Sequence, residues 1–161
     1  METKTSVLLK ISEGRKIIVP KTSGQRTLAQ AKAVFTGHLD PDFKKWGTDI
    51  KGEPKPETPA DVYEQIENAT FAEMFTSLSS DLGQLLWEQK QIIVFVENHK
   101  NWLHPEGYGS FLGFKVKDEV FVAHVRLFSG GALIANVHRF GIDYVWFASL
   151  RRRVIVPQLA A

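Results

Sequence analysis

The sequence predicts an α+β fold: a short N-terminal strand and helices, a helical middle, and a C-terminal antiparallel meander sheet of four to five strands packed on the helices. Three observations predict it. Ser110 to Val116, Glu119 to Phe128 and Ala132 to Phe140 are apolar-rich runs separated by short turns. Residues 58–103 carry helix-capping spacings and apolar residues three and four apart. The first sixty residues mix one β-like run with two helix-start signals. A chain of 161 residues can bury most of its apolar surface in one core, so residues 1–161 are read as a single domain.

In order along the chain, Arg15 to Pro20 reads as a short strand that Pro20 ends or places at an edge. Thr27 and Gln30 have capping-box spacing, and Leu28, Ala31 and Phe35 fall on one stripe, which predicts a helix. Asp40-Pro41 starts a helical turn carrying Phe43 and Trp46, closed by Gly47. Residues 47–57 contain the Gly52 to Glu57 stretch, whose prolines and lack of apolar residues mark a surface linker or long loop. Thr58-Pro59 reads as an N-cap followed by Pro, with Val62 and Ile66 on one helical face. Thr70 and Glu73 form a second capping box ahead of Phe71, Met74, Phe75 and Leu78. Ile92 to Val96 alone resembles a buried strand, yet Ile92, Phe95, Val96, His99 and Leu103 keep helical spacing, so Glu88 to Leu103 is read as a helix.

The meander follows. Lys117-Asp118 and Ser129-Gly130-Gly131 are its turns. Pairing across them sets Leu112, Phe114, Phe121, Ala123, Val125, Leu133, Ala135 and Val137 on one apolar face, expected to pack on the helices. Tyr144 to Phe147 and Arg153 to Val156 are read as further strands, the last stopped by Pro157.

Bulk properties narrow the function. Net charge is +2, giving no strong overall pull toward nucleic acid or anionic membrane. The charge is uneven: residues 1–60 carry eleven Lys/Arg against seven Asp/Glu, residues 61–110 two against eight, and residues 111–161 seven against three. Such a pattern is expected of a solvated acidic middle. The absence of cysteine excludes thiolate nucleophiles, disulfides and cysteine metal sites. The longest apolar run, Ile92 to Val96, is far short of the roughly 18 residues a membrane span needs. The apolar start Val7-Leu8-Leu9 is too short for a signal-peptide core. A cytoplasmic protein with no membrane partner is expected.

The second face of the meander is the main candidate site. It collects His124, Arg126, Asn136 and His138, with His124 opposite Asn136 and the other two on its diagonals. Imidazole, guanidinium and amide together suit a small anionic ligand, or acid–base chemistry. Polar residues also belong on any solvent-facing sheet surface, but Val122 and Ile134 make this one partly apolar and predict partial cover. A weaker nucleic-acid candidate combines Arg139, Arg151 and Arg153 with Trp146. Strand alternation leaves only Arg151 and Arg153 of the arginine run on one side. His99, His104 and Glu106 match no compact metal-ligand spacing, and no cofactor motif occurs: Gly107-Tyr108-Gly109 lacks the third glycine of a dinucleotide loop. No Gly-x-Ser-x-Gly elbow surrounds Ser110.

The stretch from His99 onward resembles a set of small uncharacterised bacterial proteins. The residues that carry it are His99, Trp102-Leu103, Gly107-Tyr108, Phe111, Phe114-Lys115, Phe121 to Ala123, His138 to Phe140, Val145-Trp146 and Arg151 to Gln158. The resemblance implies a bacterial protein with helices followed by sheet, and no activity, ligand or site residue. The expected function is a small binding or interaction domain using the His/Arg-lined face, with an unidentified protein or a small anion as partner and self-association through that face or an edge strand as a further route. The alternatives are an enzyme using His124 or His138 for acid–base chemistry, and nucleic-acid binding through the Arg151 to Arg153 end.

Overall fold

Strand, not helix, dominates the chain. A computed structural model describes residues 4–159. Its strands are β1 (Leu8–Lys10), β2 (Ile18–Val19), β3 (His38–Leu39), β4 (Thr58–Gln65), β5 (Ser110–Val116), β6 (Glu119–Leu127), β7 (Leu133–Arg139) and β8 (Arg153–Pro157). Its α-helices are α1 (Asp42–Lys45), α2 (Phe71–Thr76) and α3 (Gln89–Asn98), with short 3₁₀ turns between. The strands run in the order β1-β4-β8-β5-β6-β7-β3, and β2 pairs with the start of β4. This corrects the expected fold class. The sheet has eight strands rather than four or five, and it is mixed, because β8 runs parallel to β5 and β3 parallel to β7.

The meander keeps the register that its alternation predicts. β5 pairs with β6 from Val116↔Glu119 to Ser110↔Val125, and β6 with β7 through Ala123↔Val137 and His124↔Asn136. Its turns use backbone with positive φ at Lys117 (55°), Gly130 (90°) and Gly131 (87°). Leu112, Phe114, Phe121, Ala123, Val125, Leu133, Ala135 and Val137 all enter one apolar layer. That layer is completed by Leu28, Ala31, Phe35 and Phe43, and by Ile92, Ile93, Phe95 and Val96 of α3.

The helical middle is where the expectation fails. Residues 58–65 form β4, lodged between β1 and β8. Pro59 sits at the strand start, where the missing N–H matters least, and its carbonyl accepts from Gln158 N–H at 2.8 Å. The strand is buried on both sides: Ala60 and Val62 belong to the first layer, Tyr63 to the second. Two of its polar residues, Asp61 and Gln65, are buried with remote partners. Asp61 lies 3.4 Å from Lys10 Nζ and accepts from Ser12 Oγ, while Gln65 Nε2 donates to Trp146 O at 2.6 Å.

Two further expectations give way for local reasons. Thr27 does not open an α-helix; only a 3₁₀ turn, Leu28–Gln30, forms. The Thr27 hydroxyl donates to Asp49 Oδ1 at 2.6 Å instead of capping, and the Gln30 amide donates to the same oxygen at 2.9 Å. Tyr144 to Phe147 is not a strand either; it touches the rest of the structure as an isolated bridge, Ala69↔Trp146. By contrast α2 carries the full Thr70/Glu73 capping box and α1 closes at Gly47 with φ 76°, while α3 covers the ambiguous Ile92 to Val96 run but ends at Asn98, short of the expected Leu103, because His99 leaves helical backbone at φ −132° and ψ 41°. Loop 47–57 folds back on the N-terminal segment through Thr22↔Lys55. Strands from both sides of it join the same sheet. Among the described residues no helix is long and apolar enough to cross a membrane.

The second sheet face is covered. α2 lays Phe71, Met74 and Phe75 over Phe111, Val122, Val154 and Val156, and Trp146 completes this second apolar layer. The candidate histidines lie at the edge of that layer.

Candidate functional site

β6 and β7 bring His124, Arg126, Asn136 and His138 onto one face, in the register expected of them. Alternation puts them there; the cover above them determines their chemistry. His124 Nδ1 stands 3.3 Å from His138 Nε2. Phe111, the cross-strand partner of His124, lies beside it with ring centroids 4.9 Å apart, and Trp146 stands edge-on at 5.4 Å. Phe71 and Trp146 flank His138 at 5.9 and 5.3 Å. Gly109 makes the closest approach: a Cβ on it would overlap the His124 imidazole. The absence of a side chain there allows the ring to fit.

This packing leaves His124 only 9% exposed. Burial pushes its pKa down to about 3, helped by the positive charge of Arg126 and Arg152 and by His138. Burial also lowers His138, with Asp40 pulling the other way. Both rings are therefore neutral near pH 7, and one donates to the other. When His138 is the donor, the His124 proton sits on Nε2.

Arg152 enters this site from the stretch just before β8. Its guanidinium lies 4.8 Å from the Trp146 ring centroid, and that of Arg126 lies 5.4 Å from Phe128. Burial lowers the Arg152 pKa, Tyr144 opposes that, and Arg126 adds to it. The two guanidiniums thus feel each other across Gly109. Four polar atoms of this layer are buried with no hydrogen-bond partner: His124 Nε2, Arg126 Nε, Arg152 Nε and Trp146 Nε1. An unsatisfied buried donor costs roughly 1–3 kcal/mol, more when charged. A group of such donors is chemically suited to an oxyanion.

Residues of the second sequence candidate are scattered. Arg139 stacks on Trp46 at 4.5 Å, near Phe121 at 5.8 Å, and pairs with Glu119, on the first sheet face. Arg153 turns toward the chain interior, donating to Trp102 O at 3.0 Å and Leu103 O at 3.3 Å, with Glu64 at 4.0 Å. Arg151 is exposed in left-handed backbone, φ 48° and ψ 43°. Trp146 is buried in the histidine layer instead. His99 Nε2 bonds Ile18 O at 2.7 Å, and His104 Nδ1 accepts from Glu106 N–H at 3.2 Å, so both rings serve backbone groups.

Sequence reasoning missed Arg152, Gly109 and Phe71. The signal for Arg152 was present: the alternation that groups Arg151 with Arg153 sends Arg152 to the other face. Its nearness to Arg126 depends on the parallel β5–β8 pairing, Ser110↔Arg153, which joins segments far apart in the chain. No protein-family model matches the chain, and comparison with curated proteins and with solved structures found no match.

Proposed function

We propose that this protein is a non-enzymatic binding domain, working in a bacterial cytoplasm, that holds an anionic group between Arg126 and Arg152. The group is a carboxylate or a phosphate, with His124 and Trp146 as neighbouring donors. One observation carries the reading: His124 Nε2, Arg126 Nε, Arg152 Nε and Trp146 Nε1 are buried together without partners. Two like charges held this close by packing are stabilised by an anion placed between them. The enzyme alternative, with His124 or His138 as the acid–base group, has less support, because a general base works best with a pKa near the operating pH and burial lowers both imidazoles, His124 to about 3.

Calorimetry with inorganic phosphate at neutral pH and low salt tests the reading. Binding is expected, and Arg126→Gln and Arg152→Gln are each expected to weaken it about tenfold, the scale of one charge-assisted hydrogen bond. No binding up to tens of millimolar phosphate, or unchanged binding in both variants, sinks it.

A further inference from the structure

The proposed anion position lies within a strip in which two basic side chains are flanked by aromatic ones. At one end Phe128, 39% exposed, carries the Arg126 guanidinium. Gly107 in the loop before β5 packs against the same ring, its Cβ position 3.3 Å from it. His124 and the side-chain-free Gly109 follow, then Arg152 on Trp146. At the other end Tyr144, 52% exposed, meets Trp146 edge-on with centroids 4.7 Å apart.

Two of the exposed large apolar side chains, Phe128 and Tyr144, lie at the ends of this strip. Aromatic side chains gathered at a surface mark an interaction site. Here the order is Phe128, Arg126, Arg152, Trp146, Tyr144: two cations flanked by aromatics. That order matches a backbone phosphate with a base on each side. A lone phosphate would need no aromatic platform, a mononucleotide only one, and a duplex hides its base faces.

We propose that this strip binds single-stranded nucleic acid, with one phosphate between Arg126 and Arg152 and the adjoining bases stacked on Phe128 and Tyr144. The inference rests on the anion-binding reading above, and it uses a different set of residues from the scattered Arg139, Arg151 and Arg153. Base stacking on aromatic side chains is sequence-tolerant, so DNA and RNA strands share the chemistry. With a net charge of only +2, the attraction is local to the strip.

The test is fluorescence anisotropy of the full chain with labelled ten-nucleotide oligo(dT) and oligo(U), alongside phosphate calorimetry. Binding should fall with salt at a slope of about −0.7 to −1.4, the value for one or two phosphates on a single strand. Tyr144→Ala and Phe128→Ala, both at exposed positions, should each weaken oligonucleotide binding about fivefold or more while phosphate affinity stays within about twofold. Arg126→Gln should weaken both. Oligonucleotide binding no tighter than phosphate or thymidine monophosphate, equal competition by duplex, or indifference to both aromatic variants would overturn the inference. Phosphate binding without oligonucleotide binding sinks this inference alone, whereas loss of both sinks the anion reading as well. Tighter binding to oligo(U) than oligo(dT), or the reverse, identifies which strand the site prefers and supports the proposal either way.

Discussion

Acidification from about pH 7 to about pH 4.5 is expected to destabilise the fold by roughly 2–3 kcal/mol through His124 alone, rising to roughly 4–5 kcal/mol near pH 3. The folded pKa of about 3 lies below the ordinary 6.5. In that window the unfolded chain binds a proton that the folded chain does not, so stability rises with pH. The contribution is fully present above the unfolded pKa and is lost as pH falls toward the folded one. His138 and His104, both lowered chiefly by burial, act in the same direction. Glu88, raised chiefly by burial, acts in the opposite direction. Urea unfolding of wild type and His124→Phe across this range isolates the His124 part. The variant should lose most of the slope; parallel pH profiles for the two proteins would refute the buried-imidazole account.

Phe71→Ala is expected to cost about 3–5 kcal/mol, as truncation of a fully buried aromatic does. Phe71 is 0% exposed and meets Phe111 edge-on at 4.9 Å, Trp146 at 5.2 Å and His138 at 5.9 Å. Its removal opens the layer above the histidines as well as leaving a cavity. Water reaching the pair should return the His124 pKa toward its ordinary value, so this variant should also show a flatter pH profile. Denaturant midpoints at neutral and acid pH read both effects. A neutral-pH loss below about 1 kcal/mol would mean that α2 does not seal the second face.

These two effects come from a part of the fold that sequence patterning locates but does not describe. Alternation along β6 and β7 places His124, Asn136 and His138 together, because a meander pairs near neighbours through short turns of known geometry. The Thr70/Glu73 box places the start of α2 for the same reason: the signal is local. What lies over the histidines depends on pairing across long separations. β4 is a strand because β1 and β8 hydrogen-bond to its two edges, and nothing within Thr58–Gln65 announces those partners. Asp61 and Gln65 are buried because Lys10, Ser12 and the Trp146 carbonyl, all remote in the chain, receive them. Arg152 joins Arg126 only through the parallel approach of β8 to β5. The aliphatic character of Val122 and Ile134 points to cover on that face, and Val122, 0% exposed, is part of the second layer.

Nitrogen-15 NMR of the side-chain imidazole and guanidinium groups, recorded with and without inorganic phosphate, reads both the buried histidine pair and the anion position between the arginines. The account predicts a neutral His124 down to well below pH 6, with its proton on Nε2. It also predicts phosphate-dependent shifts at the Arg126 and Arg152 Nε–H groups and at His124, with the exposed Arg151 unaffected. A His124 that titrates near its ordinary 6.5, together with arginine signals indifferent to phosphate, would contradict it.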